Sequence, residues 1–187
     1  MYYLNEDIDS GNIIDQYSFR IHRHEYAYSL YKKVVNSGKI LLKRNLVKIF
    51  ENTIKSIPQD SSLATYFPKR SLEKDNKIDL LQNADMIYRK IRAFSYPYLG
   101  AYVPITSHKV LRIFRVRKYP FKIRRRHTIK NIHSLNPKEK IAIKKILKTL
   151  EKKGFYVVDS LVGSYKDYQW EGAKGWVMQF PHLKYLL

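Results

Sequence analysis

Four polar or acidic side chains near the amino terminus are suited to proton transfer or cation binding. Asn5, Glu6, Asp7 and Asp9 lie close together, and Asp9 is followed by a serine and Gly11. A carboxylate can accept a proton, orient a histidine that does so, or coordinate a hard cation. The small residue and the glycine after Asp9 allow a tight turn that directs its carboxylate into a site. The cluster lacks regular ligand spacing, so we predict no metal site; a loop-capping carboxylate is the alternative for Asp9.

The histidines do not indicate a metal centre. His22 and His24 stand two residues apart, and no further ligand stands at a zinc-binding spacing from them. The sequence contains no cysteine, which excludes disulfide bonds and thiolate ligands within it. We therefore expect both histidines to be surface residues.

The basic residues are concentrated in the second half of the sequence. The formal net charge is +20, and residues 109–153 hold 17 Lys or Arg and two acids, a net charge of +15. Arg124, Arg125, Arg126 and Lys130 belong to the densest run, and we predict that they bind a polyanion, with nearby aromatic residues free to stack on bases. The alternatives are a solvated basic loop and a lysine-rich composition imposed by a low-GC genome.

Length and composition indicate a folded protein. With 187 residues, of which 44% are apolar, the chain can bury a core. No run approaches the roughly 18–20 consecutive apolar residues of a membrane span. The first residues have neither the basic start nor the apolar run of a signal peptide. We expect a cytoplasmic protein that does not bind membranes.

Periodicity predicts a strand and two helices after the acidic segment. Residues 12–21 alternate loosely between apolar and polar, which is typical of a strand. Apolar residues at helical spacing predict two helices, around residues 28–35 and 42–50, with a kink or a break at Gly38 because glycine disfavours a helix interior. Pro58 ends the helical region and begins an extended loop.

The second half predicts a mixed arrangement of helices and strands. A short amphipathic helix is expected over residues 84–94, followed by two strands at 100–105 and 110–116. Asn136, a following proline and Glu139 predict the start of a helix that runs to 153, where Gly154 would end it. Residues 155–158 predict a further strand.

Three segments form an ordered set of motifs. Residues 3–14 end in an Asp-Ser-Gly turn, residues 58–69 contain Pro-Gln-Asp and Ala-Thr-Tyr-Phe-Pro-Lys, and residues 91–102 read Ile-Arg-Ala-Phe-Ser-Tyr-Pro-Tyr-Leu-Gly-Ala-Tyr. In this order they resemble the formyltransferases that use 10-formyltetrahydrofolate, which include methionyl-tRNA formyltransferases and sugar-nucleotide N-formyltransferases. The family usually has proline in place of Leu99 and tryptophan in place of Leu80.

The resemblance implies an α/β fold, in which the carboxy-terminal portion of a Rossmann-like formyltransferase domain is followed by a small α+β domain. The implied boundaries are residues 1–75 for the first part and 76–118 for the second. Residues 119–187 resemble nothing in the family, and we describe them as a basic and aromatic tail of unknown type.

The resemblance also implies where chemistry would occur. An amine attacks the formyl carbon through an intermediate with a negative oxygen, so the reaction needs a fixed donor and a proton acceptor. In the family an Asn, a His and an Asp share this work, and the resemblance places the Asp at Asp9 and a substrate site at Gly11 and Asn12. In the family an Asn-x-His motif lies well upstream of the Asp, whereas all six histidines of this sequence come after Asp9 and match no family motif.

Two functions therefore remain open. In the first, the chain takes part in formyl transfer from 10-formyltetrahydrofolate to an amine of a sugar nucleotide or of methionyl-tRNA, and it is inactive unless another chain supplies the amino-terminal formyltransferase lobe. In the second, it is a non-catalytic basic protein that binds RNA or another polyanion on a truncated formyltransferase scaffold.

Overall fold

The computed structural model describes residues 1–7, 9–67, 71–118 and 128–164. These residues form two compact units. Unit 1 consists of the described part of residues 1–70 together with residues 95–98, and unit 2 consists of the described part of residues 71–94 and 99–164. The segment at 119–127 and the aromatic tail at 165–187 lie outside the described residues.

Unit 1 is built around one long helix, α1, which runs without interruption over Ala27–Phe50. The predicted break at Gly38 is wrong. Glycine costs a helix interior only about 1 kcal/mol relative to alanine, and the good helix formers that follow it, Lys39, Leu41 and Leu42, offset this penalty. A Cβ atom at Gly38 would have no neighbour within 4 Å, so the glycine lies on an open part of the helix surface.

The rest of unit 1 is mostly extended. Ile13 forms isolated antiparallel bridges with Tyr2 on one side and Ile57 on the other. The amides of Ile13 and Ile57 each donate to the other residue's carbonyl at 2.8 Å. The strand predicted over residues 12–21 is therefore confirmed only at Ile13, because the two neighbouring segments diverge after a single bridge.

Unit 2 contains a four-stranded sheet in the order β1-β2-β4-β3. β1 pairs with β2 and β2 with β4 in antiparallel fashion, whereas β3 and β4 are parallel. Two helices of several turns belong to the same unit, and a helix of one turn precedes them in the chain. The elements are α2 (Leu72–Asp75), α3 (Ala84–Ala93), β1 (Ala101–Pro104), β2 (Lys109–Lys118), β3 (Thr128–Lys130), α4 (Pro137–Lys152) and β4 (Phe155–Ser164).

The expected boundary between a small domain at 76–118 and a separate tail at 119–187 does not hold. β4 lies beside β2 along most of its length, from Lys118 opposite Phe155 to Lys109 opposite Ser164. Residues 128–164 are thus part of the same sheet as residues 101–118. The first boundary also moves, from 75 to 70, and residues 95–98 return to unit 1.

The hydrophobic core of the described residues lies in unit 2. Ile87 and Ile91 of α3 and Ile143 and Leu150 of α4 are buried together with the apolar side chains of the strands. Tyr88 stacks on Phe155, with ring centroids 5.8 Å apart. Among the described residues, no helix combines the length and the apolar character that a membrane span requires.

Local hydrogen bonds determine where α4 begins, as predicted. The Asn136 side chain accepts from the Glu139 amide at 2.9 Å, and the Glu139 carboxylate accepts from the Asn136 amide at 2.9 Å, which is a complete capping box. Glu139 also pairs with Lys109 of β2 at 3.0 Å. The helix ends before Gly154, whose φ of 82° suits a glycine.

The capping box should make the stability of unit 2 depend on pH. The Asn136 amide and, to a lesser degree, Lys109 hold the pKa of Glu139 below its ordinary value of 4.5. Stabilisation by a carboxylate with a lowered folded pKa is present above the unfolded pKa and is lost as the pH falls through the folded pKa. Urea unfolding at several pH values below 5 should therefore show a steeper loss for the wild type than for Glu139→Gln. An equal loss of stability with falling pH in the two proteins would contradict this role of Glu139.

Candidate functional site

The Asp9 turn is held by the side chains of Tyr2 and Gln59. The Tyr2 hydroxyl donates to Asp9 Oδ1. The Gln59 side-chain amide donates to the Asp9 carbonyl at 2.8 Å and to the Gly11 carbonyl at 2.6 Å, across sequence separations of 50 and 48 residues. Asp9 has a φ of 56°, in the left-handed region that Asp tolerates better than most residues. The turn presents an exposed carboxylate on a backbone fixed from both sides.

Gly11 is required for a reason other than the tight turn expected from the sequence. A Cβ atom built at Gly11 would lie 1.6 Å from the Tyr3 carbonyl oxygen, so any side chain there would displace the first extended segment. The Tyr3 amide donates to the Asn12 carbonyl at 3.0 Å, which brings the two backbones together at this point. Gly11 is buried, whereas the Asn12 side chain is exposed.

The hydrogen bond between Tyr2 and Asp9 affects the protonation of the phenol. The Asp9 carboxylate accepts a hydrogen bond from the phenol, and its negative charge disfavours a second negative charge on Tyr2. Both effects raise the pKa of Tyr2. Tyr2 therefore remains a donor to Asp9 through neutral pH. The exposed Asp9 carboxylate is available to hold or accept a further proton from a group that approaches it.

A second polar cluster lies at the carboxy-terminal half of α1. The Asn45 side chain donates to Asp15 Oδ2 at 2.7 Å and to the Leu41 carbonyl at 2.9 Å, and the Asn45 bond lowers the pKa of Asp15. Arg44 reaches Asp15 at 3.8 Å. A cleft of about 570 Å³ opens here, lined by residues 14–15, three positions of α1 and residues 53–55; its lining does not include Asp9.

The other predicted site residues are separate from Asp9 or lie outside the described residues. His22 and His24 are exposed, and within the described ranges no three His, Asp or Glu side chains come together as ligands for a metal ion. Arg124, Arg125 and Arg126 fall in the undescribed segment, so their predicted role stays a prediction. Lys130 is half-buried in β3, which pairs with β4.

Exposed lysines form a row along α4. Lys144, Lys148 and Lys152 follow each other at intervals of four residues, so they lie on one face of the helix. This face is opposite to the buried side chains of Ile143, Ile146 and Leu150. The row belongs to the basic stretch of residues 109–153 that the sequence analysis singled out.

Two residues of the Asp9 turn were not predicted as site residues. Tyr2 stands seven residues before Asp9, and in an extended chain this spacing does not predict a contact between the two side chains. Gln59 belongs to the Pro-Gln-Asp motif, so the resemblance pointed to its segment but not to its contact. Only a fold that returns residues 57–59 to Ile13 brings the two motifs together.

Comparison with known proteins finds similarity to formyltransferases. The family described as "Formyl transferase, C-terminal domain" matches residues 71–148. The methionyl-tRNA formyltransferase of Staphylococcus epidermidis RP62A is 38% identical over 112 residues, which is 60% of this chain and 35% of that protein. The bifunctional polymyxin resistance protein ArnA of Wigglesworthia glossinidia brevipalpis is 35% identical over 108 residues, 58% of this chain and 16% of that protein.

A solved structure is similar as well. The N-formyltransferase of Helicobacter canadensis, crystallised with folinic acid and dTDP-3-aminofucose, superposes with a TM-score of 0.51 and 28% identity over 63% of this chain and 42% of that chain. This chain spans about a third of the methionyl-tRNA formyltransferase that it matches. The predicted α/β fold and the resemblance to the carboxy-terminal part of formyltransferases are confirmed.

Proposed function

We propose that this chain contributes the carboxy-terminal part of an enzyme that transfers a formyl group from 10-formyltetrahydrofolate to a primary amine. The observation that supports this most is the Asp9 turn, where Gln59 joins two of the family-like motifs through hydrogen bonds to the carbonyls of Asp9 and Gly11. The turn has the rigidity that a positioned acid–base group requires.

The role of this chain in the reaction would be limited to the carboxylate and its support. Asp9 would orient a histidine and help to take the proton that the attacking amine loses, while Tyr2 and Gln59 keep it in place. The described residues offer the folate no enclosure, since Asp9, Ser10 and Asn12 are exposed and the 570 Å³ cleft is lined by other residues. The oxyanion donor, the histidine and the folate pocket would come from the amino-terminal lobe, the part of a formyltransferase that precedes the Asp9 turn.

The acceptor amine would belong to a sugar nucleotide or to methionyl-tRNA. The relatives support both classes, because the similar crystal structure holds dTDP-3-aminofucose and several relatives are methionyl-tRNA formyltransferases. The net charge of +20 favours either phosphate-bearing acceptor over a neutral amine.

Co-expression with an amino-terminal lobe tests the proposal. The lobe would be the portion of the Staphylococcus epidermidis enzyme that precedes its region of similarity, produced as a separate polypeptide with the full 187-residue chain. We expect formyl transfer from 10-formyltetrahydrofolate only when both polypeptides are present, because no Asn-x-His pair precedes Asp9 in these 187 residues. Mass spectrometry of methionyl-tRNA and of dTDP-3-aminofucose after incubation would identify the acceptor. No transfer to either acceptor by a purified complex of the two polypeptides would contradict the proposal.

Binding of RNA is the second candidate function, and the lysine row on α4 favours it. Each phosphate neutralised by a lysine releases counterions, so affinity should fall steeply as salt increases. Replacing Lys144, Lys148 and Lys152 by alanine should reduce the double-logarithmic salt slope by about 2 to 3, close to one for each lost contact.

A matched replacement of three exposed lysines of α1 serves as the control in the same tRNA titration. Lys32, Lys39 and Lys43 lie on α1 and carry the same total charge. Equal losses in both triple variants would show only non-specific attraction to a basic protein. A parallel replacement of Arg124, Arg125 and Arg126 tests the predicted basic run directly.

A further inference from the structure

The cleft at the carboxy-terminal half of α1 carries an excess of positive charge. Its lining includes three cationic side chains, those of Arg44, Lys48 and Lys55, and one acidic side chain, that of Asp15. Three positive charges and one negative charge leave the lining with a net charge of +2. The cleft volume of about 570 Å³ is within the range of small-molecule binding sites. A cleft lined mainly by one sign of charge attracts ions of the opposite sign.

Backbone hydrogen bonds bring the two lysines to the same cleft. The amide and the hydroxyl of Thr53 both donate to the Lys48 carbonyl, at 2.9 Å and 3.4 Å, which ties the segment after α1 to the last turn of the helix. The antiparallel bridge between Ile13 and Ile57 then returns the segment that contains Lys55. The lysine of the helix and the lysine of the returning segment therefore line one opening.

The single carboxylate of the lining already has partners. Asp15 accepts from the Asn45 side chain at 2.7 Å and from the Gln16 amide at 2.8 Å. Within the part of the chain that the structure describes, neither Lys48 nor Lys55 forms an ion pair. Positive charges around one cleft repel each other, and a bound anion would replace this repulsion by attraction.

The guanidinium of Arg44 is positioned but not saturated. It lies over the Tyr17 ring, 5.5 Å from the centroid, and 3.8 Å from Asp15 Oδ2. A separation of 3.8 Å is too long for a hydrogen bond, so Asp15 does not use the guanidinium donors. The planar set of N–H donors in an arginine matches the oxygens of a phosphate group.

We propose that this cleft binds the diphosphate group of a small ligand, through Arg44, Lys48 and Lys55. A diphosphate offers several oxygens and at least two negative charges, which the three side chains can bind together and which the net charge of +2 can neutralise. The ligand would be free pyrophosphate or a nucleoside diphosphate, since both carry this group. The site goes beyond the proposed function and is separate from it, because Asp9 does not line the cleft.

NMR titration of the full 187-residue chain with pyrophosphate tests the site. The amides of Thr53, Ile54 and Lys55 report on this cleft even if the anion also binds elsewhere on a protein of net charge +20. We expect saturable shifts of these amides, and at least about tenfold weaker binding when Lys48 and Lys55 are both replaced by alanine, because two charged donors are lost. Absence of saturable shifts in the wild type would overturn the proposal.

A matched double variant controls for total charge. Lys39 and Lys43 are exposed on α1 and do not line the cleft, so their joint replacement by alanine removes the same charge from another surface. This variant should bind pyrophosphate with an affinity within about twofold of the wild type, since exposed charges at a distance are screened. Equal weakening in the two double variants would show general attraction to a basic protein and would overturn the site.

Removal of the acidic charge should have the opposite effect. In Asp15→Asn the side-chain oxygen can still accept from Asn45, while the negative charge that opposes the anion is gone. We expect pyrophosphate to bind at least about threefold more tightly. Asp7→Asn changes the total charge equally outside the lining and should leave the affinity unchanged. Equal tightening in both variants would contradict a local effect of the cleft.

Titrations with orthophosphate and ADP identify the ligand class. Orthophosphate should bind at least about tenfold more weakly than pyrophosphate, because it cannot engage all three cationic side chains at once. Equal affinities for the two ions would overturn the assignment of a diphosphate. ADP that binds more tightly than pyrophosphate would identify a nucleotide as the source of the group, and the reverse order would identify the free ion. Failure of all these titrations would leave the proposed formyl transfer standing, since it depends on Asp9 and not on the cleft.

Discussion

Replacing Asp9 by asparagine in the chain assembled with its amino-terminal lobe should reduce formyl transfer by about 10²–10⁴-fold, the usual effect of losing a positioned acid–base group. An amide can neither accept the amine's proton nor stabilise a positively charged imidazole. The turn itself should survive, because asparagine tolerates the left-handed φ of 56° and its side-chain oxygen can still accept from Tyr2. The loss would therefore report on chemistry rather than on folding.

Asp7→Asn provides the matched control for this prediction. Asp7 is an exposed carboxylate two residues away with the same charge, and it lacks the contacts that hold Asp9. Its replacement should leave kcat/KM within a factor of about two, since a surface charge at this distance from the turn is screened by water. Equal activities of both variants would remove Asp9 from the reaction.

Ile143→Ala should destabilise unit 2 by about 2–5 kcal/mol, the range observed when a large buried aliphatic side chain is truncated. Ile143 lies on the buried face of α4 and is only 2% exposed. Its removal leaves a cavity against a sheet held by β2 and β4, so the surroundings can close around it only in part. Urea unfolding followed by far-ultraviolet circular dichroism would measure the change.

Ile141→Ala on the same helix controls for helix propensity. Ile141 is 54% exposed, and replacing it by alanine removes little buried surface while slightly favouring the helix. We expect its free energy of unfolding to stay within about 0.5 kcal/mol of the wild type. Similar losses in the two variants would mean that the two faces of α4 are assigned wrongly.

Local structure was predictable wherever the determining contacts lie within one turn of the chain. Asn136 and Glu139 stand three residues apart and hydrogen-bond to each other's backbone, so the sequence showed where α4 begins. The hairpin of β1 and β2 was also predicted, because its strands are adjacent in the chain. Gly38 was misjudged, since a single unfavourable residue does not interrupt a helix of 24 residues.

The sequence by itself determined the resemblance to formyltransferases, the positions of α3, α4, β1 and β2, the start of β4 and the place of the Asp9 turn. Tertiary structure alone decided what surrounds that turn, because Gln59 reaches it across 50 residues and leaves no periodic signal. It also decided that β4 joins the sheet beside β2 and that Arg112 is buried between the carbonyls of Leu99 and Ser164. Pairing between distant strands depends on how the whole chain packs, whereas capping and amphipathic spacing depend only on neighbours. For the same reason the helical spacing around residues 28–35 and 42–50 predicted helices, and only the structure showed that Tyr31, Leu42 and Leu46 are exposed.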